Sequence, residues 1–67
     1  MIESKECREF LNQRVGIGVN NFLNGGVFYY YGELLEVTER YVKIRMSIGY
    51  KQIPLDEIIE IKRAKGV

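Results

Sequence analysis

A single cysteine, Cys7, and the absence of histidine leave this 67-residue chain without covalent or metal staples. A chain so short buries only about 60% of the surface its unfolded form exposes, and small domains usually make up the deficit with disulfides, metals or oligomerisation. One thiol forms no intrachain disulfide and no structural zinc site. A well-packed core or association with other chains is what remains. The chain is expected to be one domain, 1–67, with no cofactor and no metal.

Ten Lys and Arg stand against nine Asp and Glu, a formal net charge of +1. Domains that grip duplex DNA along its backbone are usually strongly basic, so a nucleic-acid site here has to be a local patch. With 46% apolar and 28% charged residues, the composition is globular rather than disordered. The longest uncharged stretch, Val15–Gly32, is interrupted by Asn and Gly and makes no membrane span. The opening Met1–Glu6 lacks the basic and apolar regions of a signal peptide, and a lone unpaired cysteine suits a reducing compartment, so a cytoplasmic location is expected. Without histidine the commonest acid–base side chain is missing, and neither an enzyme nor a small-molecule substrate is expected.

Apolar periodicity changes once along the chain. Cys7, Phe10 and Leu11, continued by Val15, mark one face of an amphipathic helix over Ser4–Gln13, with Ser4 as its N-cap. From Val15 the period becomes two: Val15, Ile17 and Val19 alternate with Gly16 and Gly18. Asn20–Gly26 reads as a hairpin loop carrying Phe22 and Leu23. Val27–Val37 is a long strand in which Phe28, Tyr30 and Leu34 share one face, while Val27, Tyr29, Tyr31, Glu33, Leu35 and Val37 share the other. Gly32 is where this strand can bend hard. Alternation separates Glu33 from Glu36 onto opposite faces. Tyr41–Ile48 alternates cleanly, with Val42, Ile44, Met46 and Ile48 inward. Gly49 breaks it, Tyr50–Ile53 is a short strand, Pro54–Glu57 a single helical turn, and Ile58–Lys62 a last strand before a basic tail. The expected core contains Val15, Ile17, Leu34, Val42, Ile44 and Ile59. One helix and five short antiparallel strands predict a mostly β fold, a small, strongly bent barrel over 14–63 with a helix (4–13) over one end and a tail at 64–67.

This order, with its punctuation, resembles the Sm-like (LSm) family, which includes the Hfq proteins, over roughly Lys5 to Lys62. The first motif of that family would be Val15-Gly16-Ile17-Gly18-Val19, a turn with Asn24-Gly25, then Gly32-Glu33-Leu34, Val37 and Tyr41-Val42-Lys43-Ile44. The second would be Gly49-Tyr50-Lys51-Gln52-Ile53 and Ile58-Ile59-Glu60-Ile61, where Tyr-Lys-Gln is similar to the Tyr-Lys-His step of Hfq. The resemblance implies an SH3-like barrel with an N-terminal helix, closed into a homo-oligomeric ring by pairing of strand four with strand five of the next subunit, and binding single-stranded RNA. It also implies that the turns at 38–41 and 47–51 meet on one rim near a central pore. Arg40, Tyr41, Tyr50, Lys51 and Gln52 are the implied RNA-binding residues: Tyr for stacking, Lys for phosphate, Gln for a base edge. Thr38 and Val42 stand where Sm proteins carry an Asp and an Asn, the Arg-Gly of the second motif is absent, and Gln52 replaces the Hfq histidine. Two alternatives therefore stand beside RNA binding: an assembly module of the same fold that contacts protein, and a small SH3-like DNA-binding barrel.

Other features divide between chemistry and packing. Tyr29, Tyr30 and Tyr31 are either a base-stacking platform or a packed run with Tyr30 inward and its neighbours outward. Lys43 and Arg45 alternate on a polar face, and Lys62, Arg63 and Lys65 cluster near the end, as a solvated surface or a phosphate-contacting edge. Cys7 reads as a small buried apolar residue.

Overall fold

A computed structural model describes residues 2–21, 23 and 25–64. A short helix, α1 (Ser4–Arg8), leads into five strands: β1 (Arg14–Asn21), β2 (Gly26–Val37), β3 (Tyr41–Met46), β4 (Gly49–Pro54) and β5 (Ile58–Arg63), with a 3₁₀ turn, η1 (Leu55–Glu57), before the last. All pairings are antiparallel, and the single sheet has the order β4-β3-β2-β1-β5. Phe22, Asn24, Lys65 and the tail beyond Ala64 lie outside the described residues, so the loop and tail expectations that fall on them are not addressed. No helix among the described residues is long and apolar enough to cross a membrane.

This topology forces curvature. β4 and β5 are consecutive in the chain yet form opposite edges of the sheet. In a flat sheet, four interstrand spacings would part those edges by about 19 Å. The link from Pro54 to Ile58 spans at most about 14 Å even when extended, and η1 shortens it further. The sheet therefore curls until its edges approach, and its concave face closes on one core. Val15, Ile17, Val19, Leu34, Val42, Ile44, Ile53 and Ile58 supply that core from all five strands, joined by Leu55 of η1 and Cys7 of α1. Burial raises the Cys7 thiol above its ordinary value, with Glu6 adding to the effect, and keeps it protonated.

Gly32, where a bend in β2 is expected, is a point of close approach by β3. A Cβ at this position would stand 2.5 Å from the Arg45 carbonyl oxygen of the neighbouring strand β3. The helix is shorter than expected, ending at Arg8 rather than Gln13. Amides of Phe10, Leu11 and Gln13 bond three residues back, to Cys7, Arg8 and Phe10. Asn12 then adopts a left-handed backbone (φ 66°) and donates to Leu34 O at 2.8 Å, turning the chain into β1. Glu3, not Ser4, is the N-cap, and its side chain makes no capping bond. Ile2, Phe10 and Leu11 still pack against the core.

Two bulges reset the alternation. In the β2–β3 ladder Leu34 faces Ile44 and Glu36 faces Lys43, so Leu35 is extra. Between β1 and β5, Val19 faces Ile58 and Gly18 faces Glu60, so Ile59 is extra. Residues directly opposite share a face, and each inserted residue lets positions three apart point the same way. Val37 thus joins Leu34 against the core instead of facing out, and Glu33 and Glu36 share the outer face instead of opposing ones. Ile58 is buried and Ile61 packs on the core, while Ile59, expected inside, is 53% exposed. Ile48 is also displaced from its expected inward position. β3 stops at Met46, which pairs with Gly49 across the two-residue turn Ser47-Ile48, so Ile48 sits on the hairpin tip in solvent.

Gly32→Ala is expected to lower stability by about 1–3 kcal/mol, the usual range for overpacking, because the obstructing atom is backbone. Gly26→Ala, where a Cβ meets nothing within 4 Å, should change it by less than about 0.5 kcal/mol. Denaturant midpoints of the two variants check this.

Candidate nucleic-acid interface

The strand register sorts the polar residues by face. On the convex face, β3 presents Tyr41, Lys43 and Arg45 opposite Pro54, Gln52 and Tyr50 of β4. β2 contributes Glu33, which forms an ion pair with Arg45, and Glu36, which accepts a 3.4 Å hydrogen bond from the Tyr41 hydroxyl. The Lys43 ammonium lies 5.5 Å from the ring centroid of Tyr50, itself 67% exposed. Lys51 pairs with Ile44 and so belongs to the concave side, where its ammonium sits 5.1 Å from the ring centroid of half-buried Tyr30. Tyr30 in turn makes an edge-to-face contact with Phe28, centroids 4.9 Å apart.

The five residues implied by the family resemblance do not form one cluster within the chain. The 38–41 and 47–51 turns sit at opposite ends of β3 and share no rim, because successive hairpin connections of an antiparallel sheet alternate ends. Tyr50, Lys51 and Gln52 lie within β4, and alternation puts Lys51 on the other face from its two neighbours. Arg40 is exposed in the β2–β3 turn, and its carbonyl accepts from the Leu55 amide at 2.8 Å. The same turn is ordered by Thr38, whose hydroxyl oxygen accepts from the amides of Arg40 (3.1 Å) and Tyr41 (3.0 Å). Tyr50–Gln52 and the β5 strand share one property instead. They form the two sheet edges left without a neighbouring strand.

The tyrosine run resolves into two environments. Tyr30 turns inward, while Tyr29 and Tyr31 lie outward, opposite Gly18 and Gly16. Their rings lean over those glycines. A Cβ on Gly16 would stand 2.8 Å from Tyr31 Cε1, and one on Gly18 would stand 3.0 Å from Tyr29 Cε1. The rings lie side by side, 6.2 Å apart and inclined by 25°. Tyr29 spans the bare strand to β5, donating to Glu60 Oε1 at 2.5 Å, and the Lys62 ammonium lies 4.7 Å from its ring centroid. Glycines that expose no side chain are thus covered by aromatics from the next strand. Reasoning from sequence missed Glu60 and paired neither glycine with its tyrosine. The matching spacing of Gly16-x-Gly18 and Tyr29-x-Tyr31 is the signal that points to both pairs.

The bond to Glu60 is the main cause of a raised Tyr29 phenol pKa, with desolvation and the charges of Glu60 and Tyr31 adding to it. A folded-state value above the unfolded one means that this contribution is whole below about pH 10 and disappears as pH rises through the folded value. Near-ultraviolet titration should show a phenol that ionises above the ordinary range, and Glu60→Ala should lower its titration point.

No protein-family model, curated protein or solved structure matches this chain.

Proposed function

We propose that this chain is a non-catalytic Sm-like protein whose SH3-like barrel assembles into a homo-oligomeric ring and binds single-stranded RNA. The observation that carries this reading is the pair of unpaired strands, β4 and β5, at the two edges of one strongly curled sheet. An open edge is a template for another strand. Pairing β4 of one subunit with β5 of the next is a heterologous contact that closes when its rotation divides a full turn. Such association also answers the shortage of core in a chain without staples. Tyr50, Lys51 and Gln52 ride on one of those edges, so pairing would bring a stacking ring, a cation and an amide to each subunit junction, repeated around the ring.

A second reading, an assembly module of the same fold that contacts protein, draws on two positions. Val42, standing where the family has Asn, is wholly buried. Thr38, standing where it has Asp, spends its hydroxyl on the backbone of its own turn. Neither presents a polar group to a base.

Light scattering is expected to give about five to eight subunits with little monomer at micromolar concentration, the heterologous closed ring of the family. Gln52→Pro, which removes a β4 amide, should shift that population to smaller species. Filter binding to oligo-U and oligo-A should show affinity that falls with salt, with Tyr50→Ala weakening it roughly tenfold, since a stacked base is worth about 1–3 kcal/mol. Assembly without RNA binding would select the second reading.

A further inference from the structure

The convex face holds a pocket built on β1, β2, β3 and the β3–β4 turn. It has a volume of about 450 Å³ and is lined by Arg14, Tyr31, Glu33, Arg45, Met46 and Ser47. That size falls within the range of about 300–1,000 Å³ common for small-molecule sites. Arg14, Glu33 and Arg45 stand in one row across β1, β2 and β3, because Glu33 is the register partner of both arginines. Glu33 is engaged by Arg45, and Arg14 flanks it from the opposite side, so the row carries a net charge of +1. Tyr31 is 51% exposed and lies over Gly16, which presents an aromatic ring at the pocket wall. Ser47, in the β3–β4 turn, adds a hydroxyl.

We infer that this pocket binds a nucleoside monophosphate unit, with its phosphate between the guanidinium groups of Arg14 and Arg45 and its base against Tyr31. Guanidinium forks match phosphate oxygens in bidentate fashion, and a tyrosine face accepts any base without reading its edge. Glu33 tunes the site. Its carboxylate holds Arg45 in place but opposes an incoming dianion, so it limits affinity without blocking entry. All the lining residues come from one chain, so the inference does not rest on ring formation or on the β4 edge. The nucleotide can be free or part of a strand, and the two sources separate by experiment.

Amide chemical shifts of the ¹⁵N-labelled protein are followed during titration with AMP, adenosine, inorganic phosphate and an oligo-A hexamer. AMP is expected to move the amides of Arg14, Tyr31, Arg45 and Ser47 together, with adenosine and phosphate each binding about tenfold more weakly or worse, because each makes only part of the contact. Arg14→Gln, on an exposed side chain, should weaken AMP by about tenfold. Glu33→Gln should strengthen it severalfold, a gain that a purely structural role for the row does not produce. Shifts with the hexamer and not with AMP support the site with a strand as its source. Silence of these four amides toward both, or AMP affinity unchanged in both Arg14→Gln and Glu33→Gln, overturns the proposal. Lys51→Ala, whose position on the concave side of β4 keeps it off this row, should leave the AMP shifts intact, which keeps this result independent of RNA binding at that edge.

Discussion

The short link from β4 to β5 governs the rest of the fold. Two strands that are neighbours in the chain but opposite edges in the sheet can coexist only if the sheet rolls up between them. Rolling sets the other requirements. β2 needs a site where the backbone of β3 can press close against it, and Gly32 provides it. The strands need places where the alternation is reset so that the residues on either side of an extra one stay on the core, and the bulges at Leu35 and Ile59 provide those. Once rolled, the sheet encloses a core of aliphatic residues and a cysteine, with no buried polar or charged residue among those described.

The convex face obeys a complementary rule. A strand with glycine at its outward positions leaves a furrow, and a furrow in a small domain is unpacked surface. Tyr29 and Tyr31 fill it from β2, and the phenol of Tyr29 fastens β5 to β2 across β1. The Tyr29 ring lies beside the Lys62 ammonium, and Tyr31 keeps half its surface in solvent. Packing and ligand chemistry are therefore not exclusive uses of these residues. A ring already held in place by a glycine beneath it loses little freedom when something stacks on it.

Much of this was legible in the residues. Alternation at Val15–Val19 and Val42–Met46, the requirement for glycine at position 32, the single turn after Pro54 and the burial of Cys7 follow from local rules. What escaped did so for identifiable reasons. A strict period of two cannot see a bulge, and here each extra residue, Leu35 or Ile59, is itself apolar and masks the three-residue spacing of Leu34 with Val37 and Ile58 with Ile61. The helix ended early because Asn12 can take a left-handed backbone and the Leu34 ladder offers its amide a partner, a tertiary reward invisible to periodicity. The supposed meeting of the 38–41 and 47–51 turns failed on connectivity alone, since the two ends of one strand are not neighbours. Of the five implied site residues, the register leaves three on an open edge and assigns the other two to an adjoining turn and strand end.

The bulge at Ile59 has a further effect on what the β5 edge can template. A regular exposed strand offers an unbroken line of amides and carbonyls, and copies of a chain can add to it without limit. Here the line is broken one residue after β5 begins, and on the opposite edge β4 ends in Pro54, which has no amide to give. Both edges are therefore open but short, and a strand laid along either meets an early stop. A neighbouring strand can pair with only part of either edge before the bulge or the proline interrupts its ladder.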